Sequence, residues 1–78
     1  MDKLPQISGK ETIKVLREIG FEFVQQRGSH VKLARNLENH RQIIIIPLHK
    51  TIKKGTLRNG ILKPINLSAR DFLKLLKK

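Results

Sequence analysis

The sequence has no cysteine, no tryptophan and no tyrosine, and only three phenylalanines. Without cysteine, neither disulfide staples nor a thiolate metal site can supplement the core. Three histidines beside six acidic residues also argue against a protein-built zinc cage, because structural zinc sites lean on cysteine. No metal or other cofactor is expected. Long apolar runs are missing too: "IIIIPL" is far too short to span a bilayer. The amino terminus "MDKLPQISGKE" has neither the apolar stretch nor the cleavage site of a secretory signal, so the chain is expected to be cytoplasmic, with no membrane partner. Acidic charge is scarce, six Asp and Glu against seventeen Lys and Arg, leaving a formal +11.

What is present fits one domain, residues 1–78, with a single modest core built by aliphatic packing. The positive excess favours a polyanionic partner and speeds encounter with it. Nucleic acid is the first candidate, an acidic protein the second and an anionic membrane the third.

The first element is a helix from Gly9 to Ile19. Ser8 and Glu11 have capping-box spacing, in which each side chain satisfies an orphan N–H of the first turn. Thr12, Ile13, Val15, Leu16 and Ile19 share one side of the helical wheel, and Lys10, Glu11, Lys14, Arg17 and Glu18 the other. Gly20 supplies a left-handed stop. "FEFVQQ" alternates Phe21 and Phe23 against Glu22, as a half-buried strand does. "RGS" is a turn, and "HVKLAR" puts Val31 and Leu33 on one face with His30, Lys32 and Ala34 on the other. "NLENH" is a polar reversal, and "QIIIIPL" a third strand ending at Pro47. Three short strands with short connections should form an antiparallel meander.

The last third is helical but interrupted. Thr56 is the expected N-cap of a segment burying Leu57, Ile61 and Leu62, weakened by Gly60 and ended by Pro64. A final helix starts at Ser68, with Asp71 at capping-box spacing and Leu67 placed to staple against Phe72. Its Phe72, Leu73, Leu75 and Leu76 oppose Arg70, Asp71, Lys74, Lys77 and Lys78. The class is α+β, order α-β-β-β-α(α), in two layers: a three-stranded antiparallel sheet with helices on one face.

Pairing Arg35 with Gln42 places His30 opposite Pro47. If the ladder continues, Gly28 lies opposite His49, and His30, Lys32 and His49 share the uncovered face. A one-residue slip would turn His30 into the core. Imidazole suits RNA cleavage because its ordinary pKa, about 6.5, allows proton uptake and release near neutrality. Internal attack on a phosphodiester needs a base for the 2′-hydroxyl proton and an acid for the departing 5′-oxygen. Lys32 can steady charge on the phosphoryl oxygens, and Gly28 leaves room for close backbone approach. Arg27, Lys50, Lys53, Lys54 and Arg58 are further candidate phosphate contacts. Lys53 and Lys54 precede a helix start, where orphan N–H groups attract phosphate. Taken alone, a Gly-Ser-His turn is an ordinary turn, His49 an ordinary loop residue and each "KK" pair solvated surface. No function is assigned to His40. Phe21, Phe23 and Phe72 all look like core, so phosphate contacts rather than base stacking should dominate affinity.

Nearly the whole chain resembles the HicA-type toxins of bacterial and archaeal toxin–antitoxin pairs. "SGKETIKVLREIGFEFVQQRGSHVKL" is similar to the family's opening helix, "GF" turn and "GSH" signature. "IIIIPLHKTIKKGTLRNGILK" is similar to its isoleucine strand, Pro-x-His and "GTL" helix start. The resemblance implies a fold like double-stranded-RNA-binding domains. It also implies a ribosome-independent endoribonuclease that cuts messenger RNA and arrests translation. It places the catalytic histidine at His30, with Gly28 and Ser29 in the same motif and His49 at the Pro-x-His position; in the proton-transfer scheme His49 is the candidate second proton carrier. The implied partner is a HicB-type antitoxin that covers the active surface. One departure stands out. The family commonly has a single residue between "TLR" and "IL", whereas here Asn59 and Gly60 both intervene and Pro64 follows, so the helix there should differ. The competing reading is a non-catalytic RNA-binding module that recognises duplex shape. A third is a protein that only engages an acidic partner. Loss of RNA cleavage on replacing His30 separates the first reading from the second.

Overall fold

The computed structural model describes residues 4–77. Residues 1–3 and Lys78, expected on the polar face of the last helix, lie outside the described residues. Helix α1 spans Gly9–Glu18, followed by strands β1 (Glu22–Arg27), β2 (His30–Asn36) and β3 (Arg41–Pro47). A π-helical segment (Thr56–Leu62), a 3-10 turn (Lys63–Ile65) and helix α2 (Ala69–Leu76) complete the chain. This is the expected α+β order.

The capping box of α1 forms as its spacing predicts. The Glu11 N–H donates to Ser8 Oγ at 3.1 Å, and the Ser8 N–H donates to Glu11 Oε1 at 3.2 Å. Thr12, Val15 and Leu16 are buried against the sheet, and Gly20 takes a φ of 103° that reverses the chain. The strands form one antiparallel sheet in the order β1-β2-β3. β2 and β3 pair in the expected register, His30 opposite Pro47 and Arg35 opposite Gln42. Val31, Leu33, Ile44 and Ile46 therefore face the helices and join Leu16, Phe21, Leu57, Ile61 and Phe72 in the core. Each fully buried aliphatic side chain stabilises by roughly 1.5–3 kcal/mol. Ala34 keeps its place on the uncovered face yet is buried, since Glu22 and Ile43 flank it on either side.

Two expectations need correction. Phe23 is 56% exposed, not core, and every residue of β1 is exposed. β1 begins after the buried Phe21, its register shifts between Phe23 and Gln25, and the main core contacts lie beneath β2 and β3. Thr56 is not an N-cap. The Leu57 N–H already donates to Lys53 C=O at 2.9 Å, so the helical path starts earlier and Thr56 lies inside it.

The extra residue between "TLR" and "IL" lies in the π-helical segment. There the Lys63 N–H reaches Arg58 C=O, an i→i+5 closure. In an α-helix a residue five positions on points about 140° away. A π turn brings Leu62 back towards the side of Leu57, and Leu57, Ile61 and Leu62 are all buried. Pro64 sits within the 3-10 turn, and Asn66 in left-handed conformation (φ 56°) ends it. Ser68 Oγ then accepts from the Asp71 N–H at 3.0 Å to start α2.

Candidate nucleic-acid interface

The hairpin joining β1 and β2 is as tight as a two-residue loop allows. Arg27 pairs with His30, leaving only Gly28 and Ser29 to turn the chain. Gly28 takes φ 57°, which a side chain disfavours, and a glycine at the first central position suits a type II′ turn. A Cβ added at Gly28 would meet nothing within 4 Å, so the protein itself leaves this approach open. Gln26 Nε2 donates to Gly28 C=O at 2.9 Å and ties the turn back to β1.

His30 is the first residue of β2. Strand parity puts it opposite Val31 and Leu33, on the uncovered face, and it is exposed. Arg27 shares that face through its pairing with His30, and half-buried Lys32 follows two residues on. One imidazole and two basic side chains therefore stand on one open surface. An open surface suits a long polymer better than a small ligand, which needs a concave pocket. A depression lined by Gly20, Glu22, Phe23, Val24, Ala34 and Arg41 does exist, but at the far end of the sheet from His30.

His49 arrives differently from expectation. β3 stops at Pro47, and Gly28 and Ser29 are turn residues, so the ladder does not continue to a Gly28–His49 pair. The last bond is from Leu48 N–H to Ser29 C=O at 2.6 Å. Helix α1 positions His49 instead, with the Gly9 N–H donating to its carbonyl at 2.9 Å while the side chain is exposed. A Cβ at Gly9 would overlap the Pro47 carbonyl, which makes this close approach specific to glycine. The sequence showed Gly9 only as a helix start. A glycine inside a capped first turn is the signal that could have marked it.

Lys50 is exposed in the loop after His49. Lys53, Lys54 and Arg58 are exposed too, but they belong to the path into the helical layer rather than to the sheet face. The structure thus groups Arg27, Gly28, Ser29, His30 and Lys32 on one hairpin. His49 and Lys50 follow the adjacent strand end, and the other three cations lie beyond. Among the described residues, no three His, Cys, Asp or Glu side chains converge as a metal-binding group, and no helix is long and apolar enough to cross a membrane.

Compared with known families, residues 9–67 match the model described as HicA toxin of bacterial toxin-antitoxin. That span runs from α1 to the start of the last connection and includes both the Gly28–His30 turn and His49. Neither a curated protein nor a solved structure matches the chain.

Proposed function

The chain belongs to the HicA toxin family of bacterial toxin–antitoxin systems, and from that premise we propose that it is an endoribonuclease that cuts messenger RNA at His30. Cleavage is independent of the ribosome and arrests translation until the cognate HicB-type antitoxin masks the protein. The observation that carries this reading is the position of His30: exposed, at the mouth of an unobstructed turn, on the sheet face it shares with Arg27 and Lys32. The likeness to double-stranded-RNA-binding domains that the family resemblance implies agrees with the element order and accords with a polyanionic substrate.

The scheme balances without a resident metal. A base takes the proton of a 2′-hydroxyl, whose oxygen attacks the adjacent phosphorus. The P–O5′ bond breaks, and an acid delivers a proton to the departing oxygen. The products are a 2′,3′-cyclic phosphate and a 5′-hydroxyl. His30 carries one transfer and His49, held by Gly9 beyond the end of β3, carries the other. Lys32 and Arg27 offset charge on the phosphoryl oxygens, while Lys50, Lys53, Lys54 and Arg58 hold flanking phosphates. A positioned general acid or base contributes about 10²–10⁴-fold to rate. His30→Ala should therefore lower the cleavage of a defined RNA by about that factor, with RNA affinity and thermal unfolding nearly unchanged. Full cleavage by a nuclease-free His30→Ala preparation removes His30 from the mechanism. Wild-type activity should persist in a chelator, and dependence on added magnesium would rule out this proton-transfer scheme. Wild-type protein that binds long RNA and leaves it intact would be a binding module instead.

A further inference from the structure

The two edges of the sheet are unlike. β1 is interrupted at Val24, which has no partner in β2. Irregularity of this kind blunts an edge against pairing. β3 is seven residues long and pairs with β2 without a register shift, and it carries four consecutive isoleucines. Its hydrogen-bond parity follows from the bonds at the two ends of the ladder. Leu37 N–H donates to His40 C=O at 2.7 Å, and Leu48 N–H to Ser29 C=O. In an antiparallel pair the bonded positions alternate, so Gln42, Ile44 and Ile46 are bonded to β2. The backbone groups of Arg41, Ile43, Ile45 and Pro47 point away from it, to the open edge. Proline, which has no N–H, falls in this outward set. The same residues put their side chains on the uncovered face, where Ile43 is 54% and Ile45 44% exposed.

We propose that the outer edge of β3 is the antitoxin's docking site, and that an acidic strand of the antitoxin adds to it in β-augmentation. This rests on the toxin reading above. Main-chain bonds to Ile43 and Ile45 supply affinity, and alternate side chains of the added strand supply specificity. Its apolar residues cover Ile43 and Ile45. Its carboxylates meet Arg41 and Lys32, since β3 and the adjoining face of β2 carry those cations and no carboxylate. A second copy of this chain fits the edge poorly, because pairing would bring together two molecules of net charge +11. RNA has no backbone ladder to offer and gains nothing from exposed isoleucines. A strand seated beside Ile45 lies one strand away from His30, with Pro47 between them, so its side chains on the uncovered face extend toward the His30 surface.

The test is amide hydrogen exchange on the full-length toxin, alone and in complex with the antitoxin encoded with it. The Ile43 and Ile45 amides should exchange rapidly in the free protein and be protected in the complex. Ile43→Pro removes an outward donor that the native ladder does not use, as Pro47 already does. It should weaken antitoxin binding about tenfold or more, the equivalent of one lost hydrogen bond, while RNA cleavage persists. Ile43→Lys, which keeps the N–H and places a charge among the covered isoleucines, should weaken binding too and guards against misfolding of the proline variant. Unprotected β3 amides in a tight, inhibited complex overturn the docking mode and leave the toxin reading standing. So does protection that appears with RNA alone, or with rising concentration of the free toxin. A toxin that neither cleaves RNA nor binds the antitoxin overturns both.

Discussion

His30 owes its exposure to strand parity, but two quieter residues hold the surroundings in place. Gly9 lets the first turn of α1 rest on the Pro47 carbonyl and bond the His49 carbonyl. In Gly9→Ala the added carbon overlaps that carbonyl, so the helix and the strand end must separate. Overpacking of this kind costs typically about 1–3 kcal/mol, which urea unfolding would read. Cleavage should fall further than the folded fraction does, because His49 moves with the strand end. Arg35 shares the core-facing side of β2 with Val31 and Leu33, an unusual place for a cation. Its Nη1 donates to the Ile19 carbonyl at 3.0 Å, its Nε and Nη2 donate to Gln42 Oε1 at 3.1 and 2.6 Å, and the guanidinium lies 4.7 Å from the centre of the Phe21 ring. It thereby closes the C-terminal end of α1 and covers the chain reversal. Arg35→Ala should destabilise by about 2 kcal/mol, from charge-assisted bonds and a partly desolvated cation–π contact. Arg35→Lys should restore little, because an ammonium cannot bond two acceptors and lie flat on a ring at once.

At the scale of elements, the π-helical segment is the clearest case of a length fault absorbed by geometry. The additional residue widens the turn, and all three apolar side chains still reach the core. Deleting Gly60 would leave two residues between Arg58 and the Leu62 side chain. The isoleucine and leucine would then sit three and four positions after Leu57, the ordinary α-helical core spacing. The same deletion removes an exposed glycine that costs about 1 kcal/mol in a helix interior. The deletion variant should therefore fold with a Tm equal to or above that of the parent by circular dichroism. A fall of several degrees would mean that the π turn itself makes contacts the core needs. The bulge in β1 works the other way. It exposes Phe23 and Val24 and leaves that edge a poor template, so β3 alone remains open to a regular added strand.

For the molecule as a whole, +11 on a chain of 78 residues would make the proposed association with RNA an electrostatic event first. If Arg27, Lys32, Lys50, Lys53, Lys54 and Arg58 each neutralise one phosphate, log Kobs should fall with log salt at a slope of about −4 on single-stranded RNA. Replacing any one of them by Ala should reduce that slope by roughly 0.7. His30→Ala should leave the slope nearly unchanged, because the role proposed for His30 is proton transfer rather than phosphate neutralisation. A variant series with unchanged slopes would show that these cations are not the RNA surface.

Local chemistry written in consecutive residues is legible in the sequence alone. The capping serines, the glycine turns, the period of α1 and the alternation of β2 fix the element order and the β2–β3 register. Register alone is enough to bring His30 and Lys32 out on one face. Other features depended on what packs over each element. Phe23 follows an alternating pattern but lies on a strand the core barely underlies, so its periodicity promised a burial that no neighbour provides. The parity rule lost His49 because the strand ends at a proline, and a helix terminus far away in the sequence then sets its position. The π turn and the open edge of β3 were likewise decided only in three dimensions. Burial and hydrogen-bond closure are properties of pairs of segments, whereas capping, turn geometry and strand parity are properties of one.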